Sequence, residues 1–260
     1  MNLFAGQIFA LFLLFVVFTP LERTFALHKD KKVFRKGFAT DVLHILFNRF
    51  IVDLAGFLVI VTLAVSMTLY SSQLLRDLVA SQPIWLQFIE AVATANIFGY
   101  FAHRLTHSVP LLWRFHAIHH SSENLDWLAA ARTHPIDQIF SRAMIFVPLF
   151  LLGFTQEVFG AYLIVAVLHG VFLHSNVRFK FKFLRGIVAT PHYHHWHHSN
   201  HPEAANKNFA GQFPILDLLF GTYYFPEEKT PHIYGVNERI PRGYLGQLKY
   251  PFSAGTQSGS

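Results

Sequence analysis

Histidine is the residue type with which this chain could do chemistry. Residues 190–200, Thr-Pro-His-Tyr-His-His-Trp-His-His-Ser-Asn, contain five histidines. Three of them follow the spacing i, i+3, i+4, which shares one face of a helix. The spacing occurs twice in the chain, at His116, His119 and His120 and again at His194, His197 and His198. Two such triples in a chain without cysteine predict a metal site built from imidazole.

Three more histidines stand at the ends of apolar runs. His103 and His107 are four residues apart, so one helical turn brings both rings to one ion. His174 ends a later run. With the triples they make nine imidazoles, enough for two ions with about four or five ligands each. Imidazole suits Fe, Zn, Cu and Ni, whereas a structural zinc ion needs only four ligands and usually takes cysteine.

A second set of side chains could bind the metals or orient the rings by hydrogen bonds. His169 is a candidate tenth ligand, and His134 and His195 are candidate outer partners. The carboxylates and amides of this set are Asp126, Asp137, Asp217, Asn176 and Asn208. For each of them a packed, capping or solvated side chain is the competing interpretation. Four other histidines are predicted to be surface or loop residues: His28, His44, His201 and His232.

The composition indicates that lipid surrounds much of the protein. Of 260 residues, 52% are hydrophobic and 14% are charged, and the mean hydropathy is +0.33. A soluble domain has about 25% charged residues. The net charge is +6, but the basic residues are scattered or flank apolar segments, and no nucleic-acid module is recognisable. We therefore predict a membrane protein that does not bind nucleic acid.

The apolar runs and the charges between them predict a topology. Long runs occupy residues 3–19, 51–70 and 84–100, with Pro20 after the first. Two shorter runs, 139–154 and 158–173, predict a helical hairpin. The loop after the first run carries six cations, whereas residues 71–83 carry only Arg76. The positive-inside rule then places the N-terminus outside, and every histidine cluster and the C-terminus on the cytoplasmic side.

The predicted fold is an all-α, polytopic membrane helical bundle. It has about four to five membrane segments and a cytoplasmic, histidine-rich helical cap. A single domain is expected over residues 1–252, with the motifs between about 85 and 225. The Gly/Ser-rich tail at 253–260 is predicted to be disordered.

The ordered histidine motifs resemble those of the fatty acid hydroxylase superfamily, in its sterol desaturase-type branch. The matching pieces are His103-Arg-Leu-Thr-His107, His116-Ala-Ile-His-His120, His174-Ser-Asn176, residues 190–198, Asn208-Phe-Ala-Gly211 and Asp217-Leu-Leu-Phe-Gly-Thr222. The resemblance implies two iron ions that use O2 and two electrons to hydroxylate or desaturate a lipid from the bilayer. It also implies a separate electron donor, either cytochrome b5-like or ferredoxin-type. Zinc could replace iron in a purified sample, but it has no redox chemistry. The oligomeric state stays open.

Two other classes of protein compete with the oxygenase. A metal transporter would place its ligands near the bilayer midplane or on broken helices, whereas these motifs lie at helix ends. A zinc-dependent membrane hydrolase would need fewer ligands and a catalytic glutamate, and the sequence contains no His-Glu-x-x-His motif. Metal identity and O2 uptake would separate the three classes.

Overall fold

The computed structural model describes residues 3–253. Apart from Ser253, the tail predicted to be disordered lies outside the described residues. Within residues 3–253 the chain forms helices and no strand beyond two isolated bridges, which confirms the all-α prediction. The helices are α1 (Leu3–Thr24), α2 (Phe38–Thr68), α3 (Gln73–Ala80), α4 (Ile84–Ser108), α5 (Pro110–His120), α6 (Pro135–Leu152), α7 (Gln156–His174), α8 (Pro191–His197), α9 (Ile215–Leu219) and α10 (Tyr244–Ser253).

Four of the described helices are long and apolar enough to cross a membrane. They are α1 from Phe4 onward, α2, α6 and α7. The helix predicted at 84–100 forms as α4 but is more polar, because it contains Gln87, Glu90 and Asn96. Buried side chains of α4 pack against both α6 and α7, in a core that includes Ala91 and Ala95. The polar residues of α4 thus face protein, while the outer helices expose apolar surface.

The two ends of the bundle are clearly defined. At one end, Gly153 takes φ 87° between α6 and α7, and an added Cβ there would lie 2.8 Å from the Cα of Arg76. Nearby, the Thr155 amide donates to the side chain of Gln87 at 3.2 Å. At the other end, a bridge joins Ala26 after α1 to Val177 after α7. Because α4 begins at the first end and finishes among the histidines at the second, it spans the same layer as its neighbours.

Two helix boundaries differ from the sequence prediction. Helix α1 continues through Pro20 to Thr24. Helix α2 begins at Phe38 rather than near residue 51, and it includes two π-helical stretches. Its early turns contain His44, which is buried and lies 2.7 Å from Gln247 Oε1, so the prediction of a surface histidine was wrong. Polar residues that find partners inside the protein lowered the apolar signal there.

A buried ionic network fixes the N-terminal segment to the cap. Arg35 contacts Asp41 at 2.8 Å and Asp126 at 2.6 Å, and Arg132 donates to Asp41 at 2.6 Å. All four side chains are buried. Asp126 also accepts from the Ala129 amide at the start of a short 3-10 helix. Asp126, a candidate partner of the rings, therefore pairs with arginine instead.

Candidate metal centre

The nine predicted histidines converge into two groups inside the cap. Within each group the candidate nitrogen atoms all lie within 4.8 Å of one another. The five-histidine site consists of His103, His107, His116, His120 and His197. The four-histidine site consists of His119, His174, His194 and His198. No carboxylate of the described residues belongs to either group.

Each i, i+3, i+4 triple is divided between the two sites. On α5, His116 and His120 enter the five-histidine site, whereas His119 enters the four-histidine site. A helix turns by about 100° per residue, so positions i and i+4 lie about 40° apart and i+3 points about 60° to the other side of i. On α8 and its C-cap the division is reversed, because His197 alone joins the five-histidine site. These two segments therefore stand between the sites.

Hydrogen bonds define the tautomers in the five-histidine site. The Nδ1 atom of His103 donates to the carbonyl of Phe209, and that of His197 to the carbonyl of Lys207, both at 2.8 Å. A carbonyl only accepts, so each Nδ1 carries the proton and each Nε2 a lone pair. The Nε2 atoms of all five histidines are buried without a hydrogen-bond partner among the described residues. Five converging nitrogen atoms without a hydrogen-bond partner are the environment that a cation satisfies.

The four-histidine site gives a second, independent fit test. His119 Nδ1 donates to the Arg132 carbonyl at 3.1 Å, and His174 Nδ1 donates to the Gly170 carbonyl at 2.7 Å. Both Nε2 atoms are then acceptors, yet they lie 3.2 Å apart. Two lone pairs cannot share a hydrogen bond. Ligands about 2.1 Å from a common ion would stand about 3.0–3.4 Å apart, so the spacing suits a metal.

Burial favours the neutral form of five of the cap imidazoles. Desolvation lowers the pKa of five cap histidines well below its ordinary value: His119, His120, His194, His197 and His198. Neighbouring imidazoles lower each pKa further, because one positive ring disfavours another. The neutral ring is the form that binds a metal ion. These five rings are therefore in the form that binds a cation at neutral pH.

One predicted supporting carboxylate touches a ring directly. Asp137, in the first turn of α6, accepts from His116 Nδ1 at 3.0 Å. Both side chains are buried. A carboxylate in this position orients the imidazole and raises the basicity of Nε2. Asp137 therefore serves the five-histidine site without belonging to it.

Asp217 acts through the backbone rather than on a ring. It is buried, and it accepts from the amides of Phe209 and Ala210 at 2.8 and 2.9 Å and from the hydroxyl of Tyr193 at 2.6 Å. These bonds hold the loop whose Phe209 carbonyl accepts the hydrogen bond from His103 Nδ1.

Asn208 shapes the same loop. Its φ is 62°, in the left-handed region, and its side-chain amide donates to the carbonyls of Tyr193 and Tyr224 at 2.8 and 2.7 Å. Asn208 directly follows Lys207, whose carbonyl orients His197. It therefore sets the position of a carbonyl instead of binding a ring or a metal.

Two candidate histidines lie outside both groups. His169 Nε2 donates to the Ala189 carbonyl at 3.0 Å, which occupies the nitrogen that a tenth ligand would use. His134 caps α6, because its Nδ1 accepts from the Ile136 amide at 3.1 Å. Both residues stabilise the backbone that surrounds the sites.

The last two candidates also support the framework. His195 lies 2.9 Å from the Tyr234 hydroxyl through Nδ1 and 2.9 Å from the Ser175 carbonyl through Nε2. Asn176 pairs its side chain with the backbone amide and carbonyl of His28, both at 3.0 Å. Neither residue belongs to a histidine group.

Trp113 is a residue that the sequence reasoning missed. Its half-buried ring lies 5.2 Å from the ring of His107 and 5.6 Å from that of His120. Its Nε1 donates to Glu238 at 2.9 Å. Trp113 thus covers the five-histidine site on the side of the exposed Glu238. Its position three residues before His116 places it on the same helical face, which the sequence could have shown.

Comparisons with known proteins agree with this geometry. The family model described as fatty acid hydroxylase matches residues 88–222. An ornithine lipid hydroxylase of Rhizobium tropici is 32% identical over 250 residues, covering 94% of this chain and 73% of its own length. An alkylglycerol monooxygenase of Danio rerio is 33% identical, covering 60% of this chain and 33% of its own length, and that of Homo sapiens is 33% identical, covering 55% and 32%. The chain thus spans about a third of the alkylglycerol monooxygenases. No solved structure matches significantly.

Proposed function

The chain belongs to the fatty acid hydroxylase family, and from that premise we propose that it is a multi-pass membrane oxygenase that hydroxylates a lipid with two iron ions and O2. The observation that supports the proposal most directly is the convergence of nine buried or half-buried histidines in two groups, in one of which all five Nε2 atoms lack a hydrogen-bond partner among the described residues. Hydroxylation is preferred to desaturation because the relatives are named hydroxylase and monooxygenase.

The proposed reaction requires a redox metal. A pair of iron ions would supply the oxidising power that breaks an unactivated C–H bond, taking O2 and two electrons. Zinc fits the same nitrogen ligands but has no redox chemistry, so a sample loaded with zinc would be inactive. The nine histidines would hold the ions, and hydrogen bonds from Nδ1 orient five of the rings: His103, His116, His119, His174 and His197.

The position of the histidine sites in the fold suits a substrate that comes from the bilayer. His103 and His107 lie in the last turns of α4, and His174 is the last residue of α7. The sites therefore lie just beyond the apolar part of the bundle. We propose that the substrate is an amphipathic membrane lipid of the kind named in the relatives, an ornithine lipid or an alkylglycerol, whose chain enters from the bilayer.

Charge and composition support proposals for the side of the membrane and for the electron donor. The cation-rich segment before α2 shares its end of the bundle with the histidines, and we propose that this end is cytoplasmic. The 260 residues contain no cysteine to hold an iron–sulfur cluster. We propose that a separate cytochrome b5-like or ferredoxin-type protein delivers electrons to the cap.

Neither competing class gains support from the site. A transporter site near the bilayer midplane does not match histidines gathered at the helix ends. A hydrolase needs a general base beside the metal, and within the described residues no carboxylate joins either histidine group.

The test is lipid analysis of a host with and without the chain, grown in air, together with metal analysis of the purified protein. We expect a lipid heavier by one oxygen atom and about two iron ions per chain. His197→Ala should abolish the product and lower iron content, because His197 lies in the five-histidine site. His232→Ala is the matched control, since His232 is exposed and belongs to neither group. Full turnover in His197→Ala would contradict its role as a ligand.

A further inference from the structure

The segment after α7 alternates basic and aromatic residues. Residues 178–185 read Arg-Phe-Lys-Phe-Lys-Phe-Leu-Arg and begin four residues after the end of α7. Phe183 is 76% exposed and Ile187 is 60% exposed. Large apolar side chains left open beside cations are typical of segments that lie in a membrane interface. The metal sites make no use of this segment.

A second exposed apolar element lies beside it. On α9, Leu219 is 71% exposed, and Ile215 and Leu218 are about half exposed. A Cβ placed on Gly186 would lie 3.3 Å from the Cδ1 of Leu218, so α9 contacts the segment directly. We call the five side chains together the interfacial patch: Phe183, Ile187, Ile215, Leu218 and Leu219.

Contacts to α7 show how deep the patch lies. The carbonyl of Ala189 accepts from His169, and its amide donates to the Gln212 carbonyl at 2.7 Å. His169 precedes His174 by five residues, or about 7.5 Å along the helix. The backbone at Ala189 and Gln212, close to Ile187 and to α9, therefore lies beside α7 within its membrane-crossing length, and not beyond its end.

Contacts to α4 give the same depth independently. The amide of Phe213 donates to the side chain of Asn96 at 2.9 Å, and the Asn96 amide group donates to the Phe213 carbonyl at 3.1 Å. Asn96 precedes His103 by seven residues, or about 10.5 Å along the helix. Non-helical backbone at this depth is stable only where protein groups satisfy it, as Asn96 does here.

Basic side chains surround the patch. Arg178, Lys182 and Arg185 are exposed. Lys182 and Arg185 pair with Glu227 at the surface, at 3.2 and 2.5 Å. The four cations of residues 178–185 exceed the nearby carboxylates of Glu227 and Glu228. This excess of positive charge beside an apolar surface complements a leaflet that contains anionic lipids.

We propose that the interfacial patch inserts into the leaflet next to the histidine cap, and that the cations of residues 178–185 bind the phosphate groups of anionic lipids there. The cap then lies partly within the membrane rather than on top of it. The inference rests on the membrane-crossing helices and not on the oxygenase activity. The proposed insertion and the proposed function can therefore be tested, and contradicted, separately.

The absence of cysteine makes the insertion directly testable. Single variants Phe183→Cys and Leu219→Cys, spin-labelled in nanodiscs, should be more accessible to O2 than to a water-soluble nickel chelate. Asn237→Cys is the control, because Asn237 pairs with Asn200 at the opposite end of α8 from Ala189. A spin label at residue 237 should be more accessible to the nickel chelate than to O2. Chelate access at all three sites, or mutual broadening that reveals a second copy over the patch, would overturn the insertion.

The lipid preference has its own measurement. Spin-labelled phosphatidylglycerol should bind the parent chain at least about twofold more strongly than phosphatidylcholine at low salt. The triple variant Arg178→Gln, Lys182→Gln and Arg185→Gln should lower that ratio to about one. The triple Arg239→Gln, Arg242→Gln and Lys249→Gln removes the same charge from exposed positions and should leave it unchanged. Equal loss in both triples, or no loss in the first, would contradict the proposed contact.

Discussion

At the residue scale, the site depends on which nitrogen of each ring carries the proton. His103 and His197 donate from Nδ1 to backbone carbonyls, so their Nε2 atoms face the metal site as acceptors. The sequence predicted the nine histidines because their spacing is visible. It could not predict the carbonyl partners, because a backbone carbonyl is the same in every residue. The role of Asp137 was predicted only as one of several equal candidates.

Asp137→Asn tests the one side-chain carboxylate that touches a candidate ligand. The amide accepts more weakly than the carboxylate from His116 Nδ1, so the ring becomes a poorer ligand. We expect a loss of about 10- to 100-fold in metal affinity, measured by chelator competition. Asp53→Asn alters an exposed pair with Arg49 and should leave affinity unchanged. Parent-like affinity in Asp137→Asn would remove that residue from the site.

At the element scale, the network of Arg35, Asp41 and Arg132 joins the segment before α2 to the cap. The Arg132 carbonyl in turn accepts a hydrogen bond from His119 Nδ1. The N-terminal residues therefore support a site whose histidines all lie beyond residue 100. Sequence patterns could not show this, because Arg35 reads as one loop cation among six and its burial depends on the tertiary fold.

Arg35→Met measures the strength of this connection. The change leaves Asp41 and Asp126 buried with less compensation, and breaking a buried pair in this way costs about 3–5 kcal/mol. The neighbouring Lys36→Met removes an exposed pair with Glu123 and should change the unfolding free energy by less than about 1 kcal/mol. Both values come from denaturant unfolding in detergent micelles. Similar effects in the two variants would mean that the network contributes little.

At the scale of the whole molecule, the helices divide into an apolar layer and a histidine cap at one end. The predicted runs located α1, α6 and α7 well. They were less accurate for α2, where buried polar residues such as His44 weaken the apolar pattern. They did not show which helices α4 packs against, namely α6 and α7, since packing partners are not encoded in hydropathy.

Reporter fusions test the orientation that the loop charges predict. A green fluorescent protein placed after Ser253 should fluoresce, because we expect this end of the bundle in the cytoplasm. Alkaline phosphatase placed after Gln82, between α3 and α4, should be active, because that loop faces the opposite side. The reverse pair of results would show that the histidines face outward.

Because α5 and α8 each contribute to both histidine groups, we expect the loading of the two ions to be coupled. The first ion would restrain side chains on two segments that also carry ligands of the second, so the second would bind at a smaller entropic cost. Limiting iron should then yield a mixture of empty and doubly filled molecules rather than a uniform half-filled population. Such all-or-none filling would keep a single iron ion from consuming O2 without a partner.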